Sequence, residues 1–177
     1  TYERVELPGL LAIMVDTSRD GHPNGDLTAA QLERLDDDAA DSDLPVVILG
    51  HHHIWLPDED ARDDRFFGIL PEASEALQAL IARRPIVRGY FAGHTHRNRR
   101  RFVPVSADVP YVEVASVKDF PGAWAEYRIH EGTLVQIMRR VSTPRALEWT
   151  DRTRGMFGGL YPAYSFGDLD DRCFLVD

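Results

Sequence analysis

Two short stretches hold the residues best suited to chemistry. Gly93-His94-Thr95-His96 follows the apolar run Ile86 to Ala92 and precedes Arg97-Asn98-Arg99-Arg100-Arg101. Gly50-His51-His52-His53 follows Val46-Val47-Ile48-Leu49. Each reads as a buried strand, a glycine, and then imidazoles, the commonest metal-binding side chains. A single histidine of this kind is more often a hydrogen-bonded structural residue. Two such clusters, separated by one strand-helix-strand unit, point instead to a shared cation. The intervening helix makes the strands parallel neighbours. Both clusters then fall on one carboxyl edge, where sites form in open α/β sheets. His94 and His96, two apart, are expected to point the same way from extended backbone. Gly93 is expected to let the chain pack closely as it leaves its strand. Guanidinium groups grip phosphate oxygens bidentately. Most of the arginine run nevertheless reads as the solvated edge of a hairpin. Arg97, nearest the imidazoles, is the best clamp.

The elements that would position these residues follow in order. Val5 to Leu7 and Leu10 to Val15 read as strands about a Pro8-Gly9 turn. Asp16 to Gly25 is a loop, and Asp16 reads as a turn residue. Thr28-Ala29-Ala30-Gln31 matches a capping box, and Leu32, Leu35 and Ala39 share the buried face of the helix it opens. Asp36, Asp37 and Asp38 read as its solvated face. Val46 to Leu49, uniformly apolar, suits a strand covered on both sides. Ile54 to Gly68 is a loop mixing aromatics with charge at Asp58, Glu59, Asp60, Arg62, Asp63, Asp64 and Arg65. Its Trp55, Phe66 and Phe67 read as packing rather than as a base or lipid pocket. Pro71 suits a first helical turn, with Ala73, Ala76, Leu77, Leu80 and Ile81 as the buried stripe and Arg83-Arg84-Pro85 as the end. From Phe102 the period becomes two. Phe102 to Val105, Tyr111 to Val114, Ala125 to Ile129 and Leu134 to Met138 read as antiparallel strands, the last two joined at Glu131-Gly132. Residues 143–177 show no clear period and are expected to pack over the domain.

Composition narrows the function classes. With 177 residues, 44% hydrophobic and 28% charged, the chain can bury a core as a single domain or half-domain spanning 1–177. A net charge of −9 argues against binding nucleic acid or a membrane surface. Any phosphate-bearing substrate would need local positive charge. Cys173 is the one cysteine, so no internal disulfide forms. With no apolar run of about 18 residues and no signal-peptide pattern, a cytoplasmic location is expected.

Gly50-His51-His52 and Gly93-His94-Thr95-His96, with the lead-in Asp16…Gly21…Gly25-Asp26-Leu27-Thr28…Gln31-Leu32, resemble the calcineurin-like metallophosphoesterases. The lead-in is most similar to the branch holding the class III cyclic-nucleotide phosphodiesterases. The resemblance spans Leu10 to Val141. It implies an α/β fold, a four-layer αββα sandwich with two mixed sheets between helices. It implies two divalent metal ions, commonly Mn, Fe or Zn. His51 and His94 would bind one metal and His96 the other, with His52 and Arg97 as substrate contacts. A metal-activated water would hydrolyse a phosphoric ester, a phosphodiester foremost.

Three further motifs of that family are not found in place. Asp20-Gly21-His22 falls in the lead-in loop, away from a strand end, and Gly167-Asp168-Leu169-Asp170-Asp171 falls near the end of the chain. Neither is read as a ligand. The family's Gly-Asn-His-Asp/Glu, with its acid/base histidine, has no lookalike, so the catalytic acid is unassigned. Three imidazoles suit one Zn with an open position, whereas binuclear Mn or Fe usually also needs carboxylate oxygen. The expectation is a carboxyl-terminal half, completed by an amino-terminal half or by homo-oligomer formation. The alternatives are a catalytically incomplete metal-binding or scaffold protein, and a mononuclear Zn hydrolase using His51, His94 and His96.

Overall fold

A computed structural model describes residues 2–57, 61–62, 66–106, 108–130 and 133–176. The loop charges at Asp58, Glu59, Asp60, Asp63, Asp64 and Arg65, and the Glu131-Gly132 turn, lie outside them.

A six-stranded mixed sheet forms the centre. Its strands are β1 (Tyr2–Leu7), β2 (Leu10–Val15), β3 (Val46–Leu49), β4 (Val87–Ala92), β5 (Arg99–Arg101) and β6 (Tyr111–Glu113), in spatial order β1-β2-β3-β4-β6-β5. The four middle strands run parallel, and β1 and β5 pair antiparallel at the edges. Helices α1 (Ala29–Ala40) and α2 (Pro71–Arg83) provide the crossovers. A second sheet is antiparallel, in order β7 (Ala123–His130), β8 (Thr133–Arg140) and β9 (Cys173–Val176). Helices α3 (Pro144–Asp151), α4 (Tyr161–Phe166) and α5 (Leu169–Arg172) fall between β8 and β9.

Alternation along the strands assigns the faces. Val46 and Ile48, with Leu11, Ile13 and Tyr90, join the helix-side core, which includes Leu35, Leu77 and Ile81. Val47 and Leu49, with Leu10 and Phe91, face the second sheet and meet Leu134, Phe174 and Val176. Helices, first sheet and second sheet thus succeed one another as three layers. Among the described residues, no helix is long and apolar enough to cross a membrane.

Local chemistry explains the helix starts. Thr28 Oγ1 accepts the Gln31 amide at 3.2 Å while Gln31 Oε1 accepts the Thr28 amide at 2.9 Å, completing the capping box. Gln31 Nε2 also donates to the Asp16 carbonyl at 2.7 Å, tying α1 to the end of β2. Pro71 occupies the first turn of α2, as its composition predicts. The buried stripe differs in one place: Ala76 is exposed, and Ser74 and Gln78 are buried instead. The reason is backbone supply. Ser74 Oγ accepts the Trp55 amide and donates to the Ile69 carbonyl, and Gln78 donates to the Trp55 carbonyl. A loop buried against a helix needs such partners.

Other expectations are corrected. Asp36 is not merely solvated: it ion-pairs with Arg84 at 2.7 Å and Arg83 at 3.2 Å, and Asp38 accepts the Tyr2 hydroxyl at 2.6 Å. Phe102 to Val105 is not a strand. Pro104 opens a 3₁₀ turn, since it cannot donate to a ladder, and the strand is the arginine run of β5. β6 pairs antiparallel with β5, but on its other side it runs parallel to β4, within the first sheet. The tail, expected only to pack, contributes three short helices and the third strand of the second sheet.

Candidate metal centre

The ends of β3 and β4 are zipped together by the Gly50 amide on the Phe91 carbonyl (2.9 Å) and the Gly93 amide on the His51 carbonyl (3.0 Å). This brings His51, His52 and His94 into one group, their nitrogens within 4.8 Å of one another. His51 Nε2 and His94 Nδ1 approach to 3.1 Å. Two imidazole nitrogens on one tetrahedral Zn, each at about 2.0–2.1 Å, would stand roughly 3.3 Å apart. The pair therefore fits a shared ion.

His52 is close but engaged. Its Nε2 lies 3.2 Å from the Pro23 carbonyl, which can only accept, so Nε2 carries the proton. Its Nδ1 is then the acceptor for the Thr17 hydroxyl at 2.8 Å. The same Thr17 oxygen accepts the His51 and His52 amides, each at 3.2 Å. Proximity alone would make His52 a third ligand. Its hydrogen bonds argue that it braces the other two, and a substrate contact would require breaking one of them.

Two glycines make room for this brace. A Cβ on Gly25 would come within 2.6 Å of the His52 ring, and one on Gly50 within 2.2 Å of the Tyr90 hydroxyl. That hydroxyl donates to the His52 carbonyl at 2.6 Å. Gly93, by contrast, has only ordinary contacts for a Cβ. The unusual backbone belongs to the histidines themselves: His94 (φ 64) and His96 (φ 57) are both left-handed, a conformation costly for non-glycine residues. The expected extended backbone from 94 to 96 is therefore corrected.

What holds this strained turn comes from the tail. Tyr164 of α4 donates its hydroxyl to the Thr95 carbonyl at 2.8 Å. Buried Asn98 donates through its amide nitrogen to the Ser165 (3.0 Å) and Phe166 (3.2 Å) carbonyls and accepts the Ala115 amide (3.3 Å) through its oxygen. Phe67, half exposed, lies over the His94 ring at 4.0 Å between centroids, whereas Trp55 and Phe66 are buried. Burial, reinforced by the neighbouring imidazoles, pushes the His94 pKa down to about 4. Its ring is thus neutral near pH 7, the state that gives a lone pair to a metal. Burial lowers the His52 pKa as well.

His96 stands apart from the trio and lines the same open cavity of about 430 Å³, together with His51 and His94. Its Nδ1 meets Asp119 Oδ2 at 2.7 Å. Asp119 is buried, and Lys118 Nζ reaches the same oxygen at 2.8 Å. Burial opposes ionisation of Asp119, yet Lys118 and His96 hold its pKa below the usual range. Arg97 is committed elsewhere. Its Nε meets Glu113 Oε2 at 2.9 Å, and Arg99 Nε meets Oε1 at 3.0 Å. Burial would raise the Glu113 pKa, but Arg97, His53 and Arg99 bring it down. Arg100 lies over the Phe174 ring at 4.6 Å. The run is therefore a half-buried ionic and aromatic seam rather than a solvated edge.

The remaining sequence candidates are structural where the structure describes them. Asp168 N-caps α5 in a capping box with Asp171, and Gly167 is left-handed (φ 61). Gly21 is likewise left-handed (φ 72), inside the lead-in loop. Sequence reasoning missed Thr17, Glu113, Asp119 and the tail's grip. Thr17 and Asp119 had a usable signal. Both sit in loops after parallel strands, at the edge where the histidines emerge.

No family model and no curated protein matches this sequence. Solved structures do share its fold. A dimetal phosphatase from Danio rerio superposes with a TM-score of 0.56 and 18% identity over 75% of this chain and 55% of that one. A purple acid phosphatase from yellow lupin seeds superposes with a TM-score of 0.52 and 14% identity over 78% of this chain and 30% of that one. This chain spans little more than half of the first and under a third of the second.

Proposed function

We propose that this chain supplies part of a metallophosphoesterase site: metal-dependent hydrolysis of phosphoric esters, phosphodiesters foremost, with two divalent ions (Mn, Fe or Zn). One observation carries the reading, the 3.1 Å approach of His51 Nε2 to His94 Nδ1 at the ends of adjacent parallel strands. His51 and His94 would hold one ion, and His96, lining the same cavity, the other. Bound divalent ions supply Lewis acidity and an activated water. The chain's own residues do the rest. His94, neutral through burial, keeps its lone pair available. His52 and Thr17 fix the turn that carries His51.

The fit is good for imidazole donors and lacks carboxylate: the cluster's three members, among the described residues, are all histidines. We therefore assign the missing oxygen ligands, the acid/base group and the fourth layer of the αββα sandwich to a complementary amino-terminal half or a second copy. The cavity between the two sheets, walled by Leu49, Phe91, Val114 and Tyr127 beside the histidines, is where such a segment would lodge. The substrate is a small phosphate ester, with no role for nucleic acid or membrane, and the setting cytoplasmic. The absence of carboxylate from the cluster leaves a second reading, a mononuclear Zn hydrolase through His51, His94 and His96, which requires the His96 ring to turn from Asp119 toward the pair.

The test is metal content per chain together with turnover of a chromogenic phosphodiester and phosphomonoester, for the chain alone and with its complement. Two ions and diester turnover only on complementation support the main reading, and chelation should abolish that turnover. One Zn with turnover by the chain alone supports the second. Bound metal without turnover in either state identifies a scaffold. His51→Ala or His94→Ala leaving metal content unchanged refutes every metal reading.

A further inference from the structure

We propose that Asp119 positions His96 for ligation: it takes the Nδ1 proton of the ring and leaves the Nε2 lone pair as the one His96 can offer a cation. The inference rests on the metal reading above and adds a residue no sequence motif contains. The geometry is specific. Asp119 Oδ2 lies 2.7 Å from His96 Nδ1, and the carboxylate is buried beneath a ring that is about one-third exposed to the cavity. A carboxylate can only accept, so a neutral His96 facing it must carry its proton on Nδ1. A carboxylate behind a ligating imidazole fixes its tautomer and orientation and raises its basicity as a ligand.

Asp119 is itself held in place. Its carbonyl accepts the Gly122 amide at 2.6 Å, and Lys118 Nζ binds Oδ2. Lys118 shares the oxygen used by His96 but is largely exposed, so its hold is the weaker. The His96 ring, on left-handed backbone, meets this loop after β6 and is not among the clustered imidazoles His51, His52 and His94. The tail reaches the turn that carries His96 through Tyr164 on Thr95 and through the Ser165 and Phe166 carbonyls on Asn98.

The test begins without metal. In the ¹⁵N-labelled metal-free chain at a pH of about 8.5, above the imidazole range, long-range ¹H–¹⁵N spectra should show His96 as the Nδ1–H tautomer. Asp119→Ala should move it to the Nε2–H form and weaken Zn²⁺ binding roughly 10- to 100-fold, measured by chelator competition. Asp119→Asn, whose amide oxygen still accepts the proton, should keep the tautomer and lose less affinity. It carries the test if Asp119→Ala fails to fold, and an affinity equal to wild type would then overturn the proposal. An Nε2–H ring in the wild type, or unchanged Zn²⁺ affinity in a folded Asp119→Ala, also overturns it while leaving the metal reading in place. A wild-type chain that shows the Nδ1–H form but binds no Zn²⁺, either alone or with its complement, defeats the metal reading, and this proposal with it.

Discussion

The turns at Gly50–His53 and Gly93–His96 carry similar letters after similar strands, and the molecule builds them in opposite ways. The first is supported from within the core. Thr17 collects two of its amides and one of its rings, and Tyr90 passes its hydroxyl to the His52 carbonyl. The second is supported from outside. Its two histidines adopt left-handed backbone and are held by Asn98, Tyr164 and α4. An imidazole pair with one arm rigid and one arm strapped depends on sequence far from either histidine.

The largest effect should come from the strap. Asn98→Ala strands buried carbonyls and the Ala115 amide, and is expected to lower stability by about 3 kcal/mol in chemical denaturation. A loss under about 1 kcal/mol would erase the contrast. Next is the internal brace. Thr17→Val keeps the shape but leaves two amides and the His52 Nδ1 unpartnered, and should cost about 2 kcal/mol. Smaller, but sharper, is a reversal of sign. At His94, with φ of 64, glycine should be more stable than alanine by about 1 kcal/mol. His51 is not among the left-handed residues, and there alanine should be more stable than glycine by roughly 0.5–1 kcal/mol. The same order at both positions would show that the two turns share one backbone. The subtlest is pH. His94 titrates near 4 when folded and near its ordinary value of 6.5 when unfolded, so the unfolded chain binds more protons between these values. The stability contributed by neutral His94 is complete above about 6.5 and is lost as pH falls toward 4. His94→Gln should flatten that slope in denaturation series between pH 7 and 5.

Much of this arrangement was legible in the residues. Val46–Leu49 is the strand its composition predicts, and the Thr28–Gln31 box and Pro71 mark their helix starts. The convergence of His51 with His94 follows from one parallel crossover. What was hidden depends on contacts without a local period. Period two in Tyr111–Glu113 cannot distinguish a meander from a strand returning to the first sheet, and that choice decides whether Asp119 reaches the histidine edge. The arginine run looked solvated because its buried partner, Glu113, is 16 residues from Arg97. Left-handed backbone at His94 and His96 breaks a local preference that no sequence pattern announces.

The tail has a mechanical consequence. Residues 161–166 grip the turn bearing His94 and His96, and residues 173–176 are stitched along β8 in the second sheet. A pull applied at the far end of the chain would therefore travel by way of β9 and α4 to those imidazoles, while the turn at His51, anchored on Thr17 and Tyr90, stayed off the load path. Under tension, the gap between His51 and His94 is the first dimension of the molecule that should open.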